Sequence, residues 1–340
     1  MWDLANDTPF AADRTVLRDA TGTEVWVVAV KGTFDIHPDG TTSVAAKQVD
    51  VLHLPTFRGD PTRSSLLYDR DLVPAKLNTD VLVNACAYAE SGRPSRNVDV
   101  GISVGPVRKI IRVFGDRTWG QRLGGLGISE AEPFERLPIV YERAFGGRDA
   151  EASDPDHWPL EQRNPIGVGY ATNPRFLTGT RVANLEDPSN PIRSWRDRPV
   201  PAAFGAVAPQ WLPRVAFAGT YDLKWEAERC PLLPEDFDGR FLQCAPLDQQ
   251  APLRGDEVVV LKNLTRDGLL QFRLPLVSLG FTTVIAGEAI DHRGMLHTVV
   301  IEPEFPRVIM VWHSAVNCHR RSLKVDGTTV WRQRGLAASG

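Results

Sequence analysis

Proline placement constrains this chain more than any other feature. Between Ala150 and Pro213 the pairs Asp154-Pro155, Asn164-Pro165, Asn173-Pro174, Asp187-Pro188 and Asn190-Pro191 break up every short apolar group. Proline has no N–H, fixes φ and pushes the preceding residue toward extended backbone. A long helix or an interior strand therefore cannot run through this stretch. The same stretch holds Trp158, Phe176, Trp195, Phe204 and Trp211, an aromatic supply that argues against free disorder. An ordered, loop-rich region laid over a scaffold built elsewhere is the expectation.

That scaffold reads as β. Glu24–Phe34 (EVWVVAVKGTF) is rich in valine and aromatics, and its apolar content suggests burial on both faces in part. Asp80–Tyr88, Val98–Val104 and Val107–Phe114 follow, and Gly105-Pro106 between the last two predicts a hairpin. Glu257–Leu264 and Leu269–Leu274 flank Thr265-Arg266-Asp267-Gly268, where Asp-Gly supplies positive-φ turn residues. Thr282–Ile290 and Leu296–Glu302 around Asp291-His292-Arg293-Gly294 predict another hairpin, and Arg307–His313 extends the meander. No stretch keeps helical periodicity beyond about three turns. Leu233–Phe241, opened by Pro234 and acidic residues, and Val316–Leu323 are the short helix candidates. The expected fold is mainly β: antiparallel sheets, sandwich or barrel-like, with a Pro-rich, loop-rich middle and a few short helices. The expected division is 1–150, β-rich; 151–215, the ordered connection; 216–325, C-terminal antiparallel β; and 326–340, a tail. One composite domain is the alternative.

Composition narrows the function classes. The 340 residues carry 39 basic and 42 acidic side chains, a net charge of −3, without the basic excess of a dedicated nucleic-acid binder. No apolar run approaches the roughly 18 residues of a membrane span. Met1-Trp2-Asp3-Leu4 does not open a secretory leader, so a cytoplasmic location is expected. Cys86, Cys230, Cys244 and Cys318 are too far apart for a disulfide scaffold, and reduced thiols are expected.

The chemical motifs are weak. Gly101-Ile102-Ser103-Val104-Gly105 matches G-x-S-x-G, but Pro106 and a β-run follow where a nucleophile elbow needs a helix. A strand ending in a Gly-Pro turn explains it better. Gly124-Gly125-Leu126-Gly127 has no helix after it to present phosphate-binding amides and reads as a loop. His313, Cys318 and His319, with Cys230 and Cys244 upstream, lack the tight pairs a zinc site uses, and no metal or cofactor is expected. Asp236-Phe237-Asp238-Gly239 does not continue as a calcium loop and reads as charge at a helix start. Arg143, Phe145, Trp195, Arg196, Arg198, Trp211 and Trp225 are the candidate protein-contact residues, since Trp, Tyr and Arg dominate binding hot spots. The same types build cores and cation–π stacks.

One succession of segments is distinctive: VGPVRKIIRVFGDRTW (Val104–Trp119), EPFERLPIVYERAFGG (Glu132–Gly147), NPIGVGY (Asn164–Tyr170), AGTYDLKW (Ala218–Trp225), PEDFDGRFLQCAPLDQQ (Pro234–Gln250) and GDEVVVLKNLTRDGLLQFRLP (Gly255–Pro275). It closely resembles DUF2169, a bacterial family of unknown function, over roughly Leu4 to Arg321. Genes of that family typically sit beside type VI secretion genes for VgrG spikes, PAAR tips and toxic effectors. The resemblance implies a non-catalytic cytoplasmic adaptor or chaperone that binds an effector, or the VgrG or PAAR spike protein, and helps load the one onto the other. It offers no catalytic residues. Two alternatives stand beside it: a hydrolase using Ser103 or Cys318 with a histidine, and an immunity-type protein that binds the toxin.

Overall fold

The computed structural model describes residues 2–122, 125–149 and 159–332. Gly124, the Asp154-Pro155 pair and Trp158 lie outside them. Strands hold 43% of the chain and helical turns 8%, in several mostly antiparallel sheets without a closed barrel. Among the described residues no helix is long and apolar enough to cross a membrane.

Three sheets carry the architecture. The seven-stranded one runs Gln250–Ala251, Thr79–Val83, Met295–Glu302, Arg307–Asn317, Glu24–Ile36, Ala11–Arg18, with Thr42–Val44 also on Glu24–Ile36. The five-stranded one runs Leu185–Glu186, Val107–Phe114, Asn97–Val104, Val258–Lys262, Leu269–Arg273. The four-stranded one runs Asp3–Asn6, Val325–Arg332, Leu279–Ile285, Glu288–Arg293. Residues 1–150 and 216–325 thus supply strands to all three sheets, and Thr79–Val83 lies parallel to Met295–Glu302. One continuous core joins them: Val28, Val81 and Val299 from the first sheet, Val100, Ile111 and Leu261 from the second, Phe281, Ile285 and Val330 from the third. Glu24–Ile36 is buried at eleven of its thirteen residues, as a strand covered on both faces must be.

Val107–Phe114 pairs with Asn97–Val104 around Gly105, whose φ of +54° suits glycine. The next hairpin also forms, Val258–Lys262 with Leu269–Arg273. Elsewhere the structure differs from the sequence reading. The turn expected at Asp291–Gly294 sits at Ala286-Gly287, where φ is 54° and 81°, so Leu279–Ile285 pairs with Glu288–Arg293. Met295–Glu302 leaves for the seven-stranded sheet, so the C-terminal meander is divided among three sheets. The single strand expected at Asp80–Tyr88 is two, Thr79–Val83 and Cys86–Tyr88, which join different sheets. Leu233–Phe241 is not a helix: Asp238 caps a 3-10 turn at Gly239–Leu242, accepting from Arg240 N. Val316–Leu323 holds the end of the Arg307–Asn317 strand and the start of a 3-10 turn at Ser322–Lys324. The α-helix that does form is Leu223–Glu228, where the Asp222 side chain caps Trp225 N; its six residues are too few to show periodicity. Residues 326–332 are not tail, since Val325–Arg332 pairs in parallel with Asp3–Asn6.

From Pro159 onward the proline-rich connection packs inward. Ala202–Ala208 is buried, and Phe204 O accepts from Val83 N at 3.1 Å and from Gln249 Nε2 at 3.0 Å.

Candidate functional site

Of the seven residues expected to meet a partner, Phe145, Trp195, Arg196 and Arg198 come together, while Trp211 and Trp225 lie elsewhere. Phe145 and Trp211 are each only 2% exposed, so neither presents a surface. Trp211 packs edge-on against Tyr141 in the main core, at 5.5 Å between ring centres. Phe145 belongs to a smaller cluster with Trp119, Val182 and Ile192, and half-buried Trp195 packs against it. The Arg198 guanidinium lies 4.9 Å from the Tyr170 ring centre and donates to Ala171 O at 2.7 Å. Arg196 stacks on Trp195. Arg143 bonds Asp116 and Asn184, both at 3.2 Å. Trp225 is apart from these, against Tyr221 and donating to Leu232 O. Most of the aromatic-arginine pattern is therefore internal packing and cation–π stacking.

The nucleophile candidates are scattered. Ser103 lies inside the Asn97–Val104 strand, paired with Arg108 on one side and Val260 on the other, not on a strand-to-helix elbow. Burial pushes the Cys318 thiol upward, whereas nucleophilic thiols are shifted downward. Among the described residues neither side chain hydrogen-bonds a histidine. His313 lies tilted against His297, 4.8 Å between ring centres. Among the described residues no three His, Cys, Asp or Glu side chains converge as a metal ion requires.

A cleft of about 430 Å³ opens instead where Val107–Phe114, the connection and residues 240–250 meet. One wall is a strand edge. Gly105 N bonds Val258 O and Phe114 N bonds Asn184 O, which fixes the alternation. Val107, Lys109, Ile111 and Val113 turn their main-chain groups toward Asn97–Val104; Arg108, Ile110, Arg112 and Phe114 turn theirs away. On that outer side Leu185–Glu186 pairs only with Arg112 and Val113, and among the described residues no strand pairs with the edge at Arg108 and Ile110. The sheet's other edge is closed off at Gln271: Gly40, at φ +82°, lies so close that a Cβ there would stand 2.5 Å from Gln271 O.

Around the open edge Ile110, Val200 and Leu247 are 59%, 66% and 64% exposed, an apolar rim on a cleft. Burial holds the Lys109 ammonium below the ordinary lysine range, against the pull of Asp248 at 3.0 Å; Gln249 Oε1 also accepts from it. The Arg108 guanidinium donates to Gly105 O and Val107 O, and among the described residues no carboxylate pairs with it.

The far wall is fixed from below. Asp80, 0% exposed, accepts from Lys76 Nζ (2.7 Å), Gln243 Nε2 (2.9 Å), Cys244 N (2.9 Å) and Ala245 N (3.0 Å). Burial works against the Lys76 ammonium, but Asp80 prevails and holds it above the ordinary lysine range. Burial pushes the Cys244 thiol well up. Gln249 Nε2 donates to Val81 O at 2.7 Å, and Arg214 is held by Asp69 at 2.6 Å. The cleft thus has rigid walls and an open main-chain edge. Sequence reasoning missed Arg108 and Ile110. The available signal was an isoleucine between two arginines on the outward face of VRKIIRVF, which the hairpin parity exposes.

Fold and cleft together define a mainly β protein with a groove along an unpaired strand edge. The chain belongs to a family described as an uncharacterized protein conserved in bacteria (DUF2169), whose model matches residues 21–313. No curated protein and no solved structure matches it.

Proposed function

We propose that this protein is a non-catalytic, cytoplasmic adaptor that binds a toxic effector and helps load it onto the VgrG or PAAR spike of a type VI secretion system. The secretion role rests on the segment resemblance described above. The binding role is supported by one observation: an apolar-rimmed cleft, with Ile110, Val200 and Leu247 exposed, whose walls are rigidly held. A loader needs a surface that accepts a polypeptide and lets it go, and it needs no reaction centre. The immunity reading shares the partner and differs in the outcome, protection of the cell instead of delivery of the toxin.

Co-expression with the effector encoded beside it, followed by co-purification and a secretion assay in a deletion strain, tests the proposal. Loss of effector stability and secretion in the deletion strain is the expected result. Undiminished secretion contradicts loading, and protection from the toxin with normal secretion favours the immunity reading.

A further inference from the structure

We infer that the cleft captures its partner by strand addition: an extended, aliphatic segment carrying an acidic side chain pairs with the outward main chain of Arg108 and Ile110, continuing the line of Leu185–Glu186. The inference rests on the binding reading above and names the chemistry of the partner.

Three observations carry it. The first is main-chain supply. Hairpin parity aims the N–H and C=O of Arg108 and Ile110 out of the sheet, and the adjoining outward residues show what such groups accept here: Arg112 pairs with Glu186, and Phe114 N donates to Asn184 O at 2.8 Å. The ladder stops there, and the cleft begins. The second is the side-chain environment. Ile110 stands on the edge itself, with Val200 and Leu247 also on the cleft, so alternate residues of an added strand meet aliphatic surface. The third is charge. Among the described residues Arg108 has only carbonyl partners, Gly105 O and Val107 O, so a carboxylate on the incoming segment would complete a charge-assisted pair. Among edges of the same sheet this one is distinguished, because Gly40 closes off Gln271 on the opposite side. A long unprotected edge is a hazard for aggregation, and a short one recessed in a cleft selects its strand.

The test uses the whole purified protein and a capped hexapeptide of alternating valine and threonine with one glutamate, added at millimolar concentration. Amide hydrogen exchange is followed by NMR. Arg108 and Ile110 are expected to exchange rapidly in the free protein and about tenfold more slowly with the peptide. A peptide N-methylated at every residue, which cannot bond along either edge, is expected to give no protection. No protection by either peptide, or equal protection by both, overturns strand addition. Ile110→Pro, which removes an outward N–H and leaves the ladder to Asn97–Val104 intact, is expected to abolish the effect, whereas Ile110→Thr retains part of it. The neighbouring effector, in the co-purification above, separates the two readings. Binding that survives Ile110→Pro removes strand addition and keeps the adaptor. Peptide protection without effector binding removes the adaptor and keeps the edge.

Discussion

Residues 243–250 connect two regions that treat polar groups in opposite ways. At one end Asp80 is fully buried and accepts from a lysine, a glutamine and two main-chain amides. At the other, beside Lys109, the outward main chain of Arg108 and Ile110 meets no strand among the described residues. The first region is closed: Gln243, Cys244 and Ala245, which donate to Asp80, belong to the segment that walls the cleft. The second is open, on a sheet whose opposite edge Gly40 closes off at Gln271. Satisfied polar networks specify one packing, and unsatisfied main chain at a cleft marks where another chain can be accepted. The difference separates the part of the molecule that holds shape from the part that makes contact.

Breaking the closed region gives the largest effect. Asp80→Ala strands the buried Lys76 ammonium and frees Gln243–Ala245, and is expected to cost about 3–5 kcal/mol in chemical denaturation. Asp80→Asn keeps the shape and should cost less. A pH series probes the same interior. Burial lowers His313 to about 4 and His297 well below its ordinary value; Lys76 opposes protonation of both, and Asp71 O accepts at His297 Nε2. A depressed histidine contributes stability that is complete above its unfolded value near 6.5 and is lost as pH falls toward about 4. The loss should approach about 1.4 kcal/mol per pH unit for each histidine, and His313→Leu should flatten that limb.

The open region should behave the other way. Ile110→Thr is expected to stay within about 0.5 kcal/mol of wild type in thermal melts, and Ile110→Pro within about 1 kcal/mol, while both reduce effector retention. Ser103→Ala, one strand in from the free edge, should leave both stability and retention unchanged.

Much of the scaffold was legible because local chemistry decides it. Val107–Phe114 is read to the residue, since a Gly-Pro turn starts it and Gly115 ends it. The proline-rich connection was legible as ordered because its aromatics need burial, and Phe204 and Trp211 find it. What the sequence hid is long-range. The donors to Asp80 lie more than 160 residues away except for Lys76, and no local spacing announces them. The tight turn moved from Asp291–Gly294 to Ala286-Gly287 because alanine can take the left-handed region when the flanking strands demand it. Trp and Arg density pointed to contact, but Phe145 and Trp211 are core, and the open edge shows itself only once Leu185–Glu186 is seen to stop at Arg112.

The most direct test of the central claim is photo-crosslinking in cells that co-express the neighbouring effector, with p-benzoylphenylalanine placed at Ile110 and, as a control, at Leu323, which is 75% exposed and is not among the residues lining the cleft. The account predicts a covalent adduct with the effector from position 110 and none from position 323. Adducts from 323 with none from 110 would contradict it.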